Sequence, residues 1–333
     1  IKWLLVNYCM VDRKFNIKYD FISGNSSINW SFPEFANCPL CTADKDLIFS
    51  IFRKSGYIKL SREIGEDWSV AVIDHPSPIV DDSYEGEWND WPLKSEPAKG
   101  RHYVIALGKD HIPFHELSKD TIMEGLYAAQ EVYKKFSEIN RVVYIIISLF
   151  SANGYDIKGH PHFDVIGLPY IPKIIGDQLN GFRQIYEDRN ECPVCDIIKS
   201  EGNSNRIIYS NENWLVVIPW SPMKYNEIRI LQATHYKQFQ KLTQKEIESL
   251  AFMLKVVGAS MGKLKGHDYS IAFNLPPPKR STNYFHMYVS VYSTQTVEDA
   301  LYNGYGILLT DPDNSVKDIS RTFRGVLKDF VGL

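Results

Sequence analysis

Eight residues of types that bind soft metal ions occur in the same order in the two halves of the chain. Four cysteines form two C-P-x-C pairs, Cys38 with Cys41 in "NCPLC" and Cys192 with Cys195 in "ECPVC". A thiol pair at this spacing is either a metal knuckle or a redox pair. Two of them, in a chain whose opening does not look like a secretory leader, favour metal. Histidines follow each pair: His111 and His160 in the first half, His235 and His286 in the second. The two histidines are 49 residues apart in one half and 51 in the other. The step from cysteine to first histidine is 70 residues against 40, and the insertion "VDDSYEGEWNDWPLKSEPAKG" accounts for most of the difference. Two thiolates with two imidazoles make a closed tetrahedral set, which suits zinc better than magnesium or calcium. The expected sets are Cys38, Cys41, His111, His160 and Cys192, Cys195, His235, His286, with two zinc ions per chain. His115 competes with His111, because "DHIPFHEL" offers both; the repeat aligns His111 with His235. Cys9 reads as a small buried apolar residue.

One imidazole is left over. In "KGHPHFDVIG", His160 and His162 lie two residues apart and share a face if the segment is a strand. If zinc takes His160, His162 is free for chemistry. The matching stretch of the second half is "FHMYV", so Tyr288 stands where His162 stands. A duplicated fold with one working site would look like this.

The elements that must position these residues repeat as well. Helical spacing links Ile122, Leu126, Ala129, Tyr133 and Phe136 in the first half. It links Ile247, Leu250, Leu254, Val257, Met261 and Leu264 in the second. The first helix opens on Ser118 with Asp120 nearby, the second on the capping box Thr243 and Glu246. Other segments are β-rich and bounded by Gly, Pro or Asn. Each half has three strands, a long helix and two more strands, which predicts α+β with an antiparallel sheet. Net charge is -3 and there is no basic block, which argues against nucleic acid. No apolar run reaches the roughly 18 residues of a membrane span. "IKWLLVNYCMVDRKF" is too short and interrupted for a leader or a span, so a cytoplasmic protein without a membrane partner is expected.

The order of elements, with "HPH" on a strand after a helix and a strand, resembles the histidine triad superfamily. More closely it resembles the galactose-1-phosphate uridylyltransferase family, whose motif is H-P-H-x-Q. The resemblance runs from about Asp67 to Tyr305, strongest at "GKDH", "GHPHFDVIGLP" and "ENWLVVIPWSP…EIRILQATH". It implies two tandem histidine-triad-like modules, residues 1–175 and 176–333, the second with a degenerate motif, and a homodimer. It implies a transferase of carbohydrate and galactose metabolism, with a nucleotide sugar and a sugar 1-phosphate as partners. His162 would attack the α-phosphorus of a nucleoside diphosphate sugar, and a second sugar 1-phosphate would take the nucleotide from it. Neutral imidazole suits this as nucleophile and leaving group. The zinc set around His160 would hold the strand, since a closed site has no open position. Asn153 would bind phosphate, unless it is an Asn-Gly turn residue. Asp74 in "VIDHPSP" would read the base or ribose, unless it is a polar strand end.

The chain departs from the family pattern in three places. Asp164 stands where the family has glutamine, and a carboxylate repels phosphate unless protonated or bridged by a cation. "NGYGILLTDPD" keeps Tyr305 but has Gly306 and Pro312 where the family's sugar-binding residues stand. The family's N-terminal arginine motif is absent from "DRKFNIKYDFISG". The insertion, with Glu85, Glu87, Trp88, Asp90 and Trp91, is read as a solvated loop, with a lid or sugar contact as alternatives. Two further readings of the whole stand beside the transferase. One is a phosphorylase or hydrolase of nucleotide sugars or nucleoside polyphosphates that also uses His162. The other is a zinc-stapled nucleotide binder without turnover.

Overall fold

A computed structural model describes residues 16–19, 26–28, 38–41, 47–54, 57–61, 68–86, 88–90, 93–151, 159–202, 204–235, 237–265, 268–294, 308 and 312–331. Strands β1 (Asn16–Tyr19), β2 (Ser26–Ile28), β3 (Leu47–Lys54), β4 (Tyr57–Ser61), β5 (Val70–Asp74), β6 (Trp88–Asp90), β7 (Leu93–Pro97) and β8 (Arg101–Leu107) precede helix α1 (Lys119–Glu138). Strands β9 (Tyr144–Ser151) and β10 (His162–Leu168) follow, then helices α2 (Lys173–Arg189) and α3 (Pro193–Glu201). The second half continues with β11 (Ile207–Ser210), β12 (Trp214–Val217), β13 (Ile228–Gln232), helix α4 (Gln244–Lys265), β14 (Tyr269–Asn274) and β15 (Tyr288–Ser293), and ends in helix α5 (Pro312–Val331).

Eleven strands form one antiparallel sheet in the order β11-β12-β13-β15-β14-β9-β10-β8-β5-β3-β4. The order reads alike outward from the β14–β9 junction, except for β4 at one edge: hairpins β9–β10 and β14–β15 meet there, with Ile271 opposite Leu149. The α+β class expected from the sequence is what the chain adopts. Both long helices start where the caps put them. Ser118 accepts from the Thr121 amide at 2.9 Å. Thr243 and Glu246 close the capping box, with the Thr243 amide donating to Glu246 at 2.8 Å and the Glu246 amide to the Thr243 hydroxyl at 3.4 Å.

Side chains alternate across a strand, so each strand feeds two layers. Val70, Val72, Ile105, Leu107, Phe163 and Val165 face α1 in a core that also holds Leu250, Leu254, Val257 and Met261 of α4. The residues between them face the other way. Ala71, Ile73, Val104 and Ala106 pack with Cys38, Leu40 and Trp68. His162 and Asp164 belong to this second face by the same alternation.

The insertion is not a solvated loop. Its residues form β6 and β7, and β7 pairs with β1, Ile17 opposite Glu96. With β2 they make a second, four-stranded sheet. It is seated by a small core of Ile17, Val80, Ala98, Ile166 and Leu168, so the insertion packs against the far end of β10.

Gly100 sets how closely β8 approaches β10. A Cβ there would lie 2.3 Å from the backbone oxygen of Gly167, which cannot swing aside as a side-chain tip can. Gly100→Ala is expected to cost about 1–3 kcal/mol of stability by overpacking. Denaturant titration should show a lower midpoint with an unchanged slope. Among the described residues, no helix is long and apolar enough to cross a membrane.

Candidate functional site: two Cys₂His₂ sets and a histidine-carboxylate cluster

The turn at Cys38–Cys41, the segment after β8 and the stretch leading into β10 bring Cys38, Cys41, His111 and His160 together, one ligand atom of each within 4.8 Å of the others. Cys41 Sγ lies 3.1 Å from His111 Nε2 and 3.7 Å from His160 Nδ1. Tetrahedral zinc, with bonds of about 2.0–2.3 Å, places neighbouring ligand atoms ~3.3–3.8 Å apart. His160 Nε2–H donates to the Gly108 carbonyl at 3.1 Å, which leaves Nδ1 lone pair facing the thiols. That is the arrangement expected of a metal-ligating imidazole. Burial pushes the Cys38 thiol up to about 11 and His160 down to about 4. The rival His115 points elsewhere: its Nδ1 is 3.2 Å from the Tyr269 hydroxyl.

The second set repeats this geometry. Cys192, Cys195, His235 and His286 again offer one ligand atom each within 4.8 Å of the others. Cys195 Sγ is 3.4 Å from His235 Nδ1 and 3.6 Å from His286 Nδ1. Both histidines donate Nε2–H to carbonyls, His286 to Gln232 at 2.6 Å and His235 to Asn283 at 2.7 Å. Burial raises Cys195 to about 12 and lowers His286 to about 4. All eight residues singled out as ligands therefore fall into two groups that can hold metal ions.

His162 does not join the first set. Its Nδ1–H donates to the carbonyl of His160 at 2.6 Å, so the residue beside the thiols also orients the free imidazole. Nε2 then lies on the same face of the sheet as Asp164, 3.7 Å from its Oδ2. The other Asp164 oxygen, Oδ1, is 3.0 Å from His102 Nε2. Burial alone would raise the Asp164 pKa, but His162 and His102 hold it well below the usual carboxylate range. Burial alone would lower the His162 pKa; the Asp164 charge and hydrogen bond, with the His160 carbonyl, raise it on balance. Asp164 is thus ionised, not protonated.

Tyr288 begins β15 as His162 begins β10, and its surroundings are different. It lines an apolar cavity of about 470 Å³ with Phe182, Val194, Leu215, Val217 and Leu231, covered by α2 and α3. Asp74 is exposed at the end of β5, two strands from His162. Asn153, Tyr305, Gly306, Glu87, Trp91 and Cys9 lie outside the described residues. Two residues at the site were not anticipated. His75 follows β5, and its ring stacks on His102 at 4.0 Å between centroids and 13° between planes. Their signal was available in the alternation, since His75 and His102 fall on the parity of Asp164. What the sequence lacked was the pairing of β8 with both β5 and β10.

No family profile matches the chain. It is 24% identical to the galactose-1-phosphate uridylyltransferase of Thermotoga maritima over 251 residues, 72% of this chain and 77% of that protein. It is 20% identical to the ADP-glucose phosphorylase of Arabidopsis thaliana over 254 residues, 74% of this chain and 69% of that protein. A solved structure of a uridylyltransferase superposes with a TM-score of 0.79 and 20% identity, covering 94% of this chain and 100% of that one. The α+β fold, with its central antiparallel sheet, is therefore that of the uridylyltransferase structure. In sequence the chain resembles galactose-1-phosphate uridylyltransferase, as a divergent relative.

Proposed function

We propose that the protein is a nucleotidyltransferase that moves a nucleotide between a nucleoside diphosphate sugar and a sugar 1-phosphate, with His162 as the carrier. The observation that supports this best is the division of labour in "HPH". His160 falls in the Cys₂His₂ group, and its carbonyl holds His162 by Nδ1, which leaves Nε2 as the nitrogen available for chemistry. In the first half-reaction the Nε2 lone pair forms a bond to the α-phosphorus. The bond from phosphorus to the sugar 1-phosphate oxygen breaks, and the leaving phosphate keeps the electron pair. In the second, an acceptor oxygen attacks phosphorus and the P–N bond breaks. Attack requires Nε2 to be free of its proton, and the Nδ1–H donated to His160 keeps the correct tautomer once it is.

Cys38, Cys41, His111 and His160 would hold one zinc ion and Cys192, Cys195, His235 and His286 another. A closed four-ligand site supplies rigidity and no reacting position. Modules at 1–175 and 176–333, assembled as a homodimer, complete the reading. A second reading is a phosphorylase or hydrolase on the same His162, and Asp164 favours its hydrolase form. An ionised carboxylate beside the phosphorus disfavours an anionic sugar phosphate as acceptor and tolerates water.

The test is intact-protein mass spectrometry after mixing with UDP-glucose, ADP-glucose and dinucleoside polyphosphates in turn. The expected result is a gain of one nucleotide, lost on adding the acceptor and mapped to His162. No gain with any donor would leave a non-catalytic nucleotide binder as the surviving reading.

A further inference from the structure

His75, His102 and Asp164 offer one ligand atom each within 4.8 Å of one another, beside His162. At first sight this is a third metal set, but the hydrogen bonds of the two rings argue otherwise. His75 Nδ1 accepts the Ser77 amide at 3.0 Å. His102 Nδ1 accepts the Ile79 amide at 3.3 Å. A backbone N–H has no lone pair, so both Nδ1 atoms must be bare and both Nε2 atoms must carry the proton. This is the reverse of His160, His235 and His286, whose Nε2–H groups donate to carbonyls and leave Nδ1 bare for metal. His75 and His102 are therefore donors at Nε2, and a cation there would have to displace a proton from each.

The donor of His102 is used, because its Nε2–H goes to Asp164. The donor of His75 is not: its Nε2 has no partner among the described residues. The ring is held by the Ser77 amide, by the stack on His102 and by its own amide, which donates to the His102 carbonyl at 3.0 Å. Only 7% of the residue is exposed, so the ring is fixed and largely shielded from water. Phosphoryl transfer to His162 concentrates negative charge on the non-bridging oxygens, next to an ionised Asp164. Without a donor aimed there, the site would oppose its own transition state.

The geometry points to His75 Nε2–H as the hydrogen-bond donor to the non-bridging phosphoryl oxygen during transfer to His162, with His102 as a positioning residue that pins Asp164 and stacks His75 in place. This rests on the proposed nucleotidyl transfer and names the group that makes it feasible beside a carboxylate. In the step, the bond from His162 Nε2 to phosphorus forms and the bond to the leaving phosphate breaks. His75 keeps its proton throughout and only shares it. Burial, and then the neighbouring His102, lower the His75 pKa to about 3, so the ring is neutral and its tautomer stays fixed near neutral pH.

The experiment compares His75→Phe, which keeps the ring stack and removes the donor, with His75→Gln, which restores a side-chain N–H. Each is made alone and with Asp164→Gln, which replaces the carboxylate by an amide donor. Two quantities are read: the single-turnover rate of adduct formation, and the affinity for UDP and ADP by calorimetry. His75→Phe is expected to slow adduct formation roughly 10²-fold, the loss typical of one oxyanion donor. His75→Gln should recover much of it. In the Asp164→Gln background the same His75→Phe change should cost under about tenfold, because the amide supplies a donor and the repulsion is gone. Equal losses in both backgrounds would overturn the proposal, as would an unchanged rate in His75→Phe. A divalent metal equivalent lost only with His75→Phe would also overturn it and make the cluster a cation site. If the unaltered protein forms no adduct, the transferase reading fails. The His75 donor then stands on weaker UDP and ADP binding in His75→Phe, and falls if binding is unchanged.

Discussion

Cys38→Ser and Cys192→Ser are each expected to remove one metal ion per chain and to lower the unfolding temperature, but only the first should slow nucleotide transfer. Protein purified without added metal should carry about two zinc ions per chain, one for each closed set. A site held at ~1,000 times its dissociation constant contributes about 4 kcal/mol through linkage, enough to move a melting midpoint by roughly 5–10 °C. The asymmetry in activity follows from position. The first set includes His160, whose carbonyl orients His162. The second includes His286, whose neighbour on β15 is Tyr288, over an apolar cavity. Metal release should also follow acid. Burial raises Cys38 to about 11 and Cys195 to about 12, so without a cation these thiols are protonated at neutral pH. Binding must expel those protons, and affinity falls as pH falls. Elemental analysis of the two variants, with calorimetric melting, decides the matter. One zinc ion per unaltered chain would remove one of the sets, and equal losses of activity in the two variants would remove the asymmetry.

The metal sets and the long helices were legible because their determinants are local or repeated. Ser118 and Thr243 mark helix starts within three residues of their partners. The cysteines announce themselves by spacing, and duplication supplies a second copy for alignment. The insertion was not legible, for a physical reason. Its acidic, aromatic, Gly- and Pro-containing sequence looks like loop, and its partner β1 lies far away along the chain. Helices α2 and α3 were missed because they have no counterpart among the described residues of the first half. Asp164 was legible as an anomaly but not as a solution. The sequence shows a carboxylate two residues after His162, and only the pairing of β8 between β5 and β10 brings His102 and His75 to it.

His162→Asn is expected to abolish nucleotide transfer, by on the order of 10⁴-fold or more, while leaving metal content and melting temperature near those of the unaltered protein. Loss of a nucleophile on this scale is typical where the remaining groups act only through it. The side chain is buried, yet its contacts are few and specific: Nδ1–H to the His160 carbonyl and Nε2 toward Asp164. Asparagine can keep the first contact and offers no nucleophilic nitrogen. His160→Asn should behave in the opposite manner. That ring bridges the Gly108 carbonyl and the Cys41 thiol, so its loss should release one metal ion and lower stability. Activity should then fall because β10 is no longer held at its start, and it should fall with the metal content. The two substitutions are two residues apart, and a purely structural role for the whole motif would make them alike. Metal analysis, melting and adduct formation on both proteins separate the cases. If His162→Asn also lost metal, or if His160→Asn kept it, the assignment of one histidine to structure and the other to chemistry would be wrong.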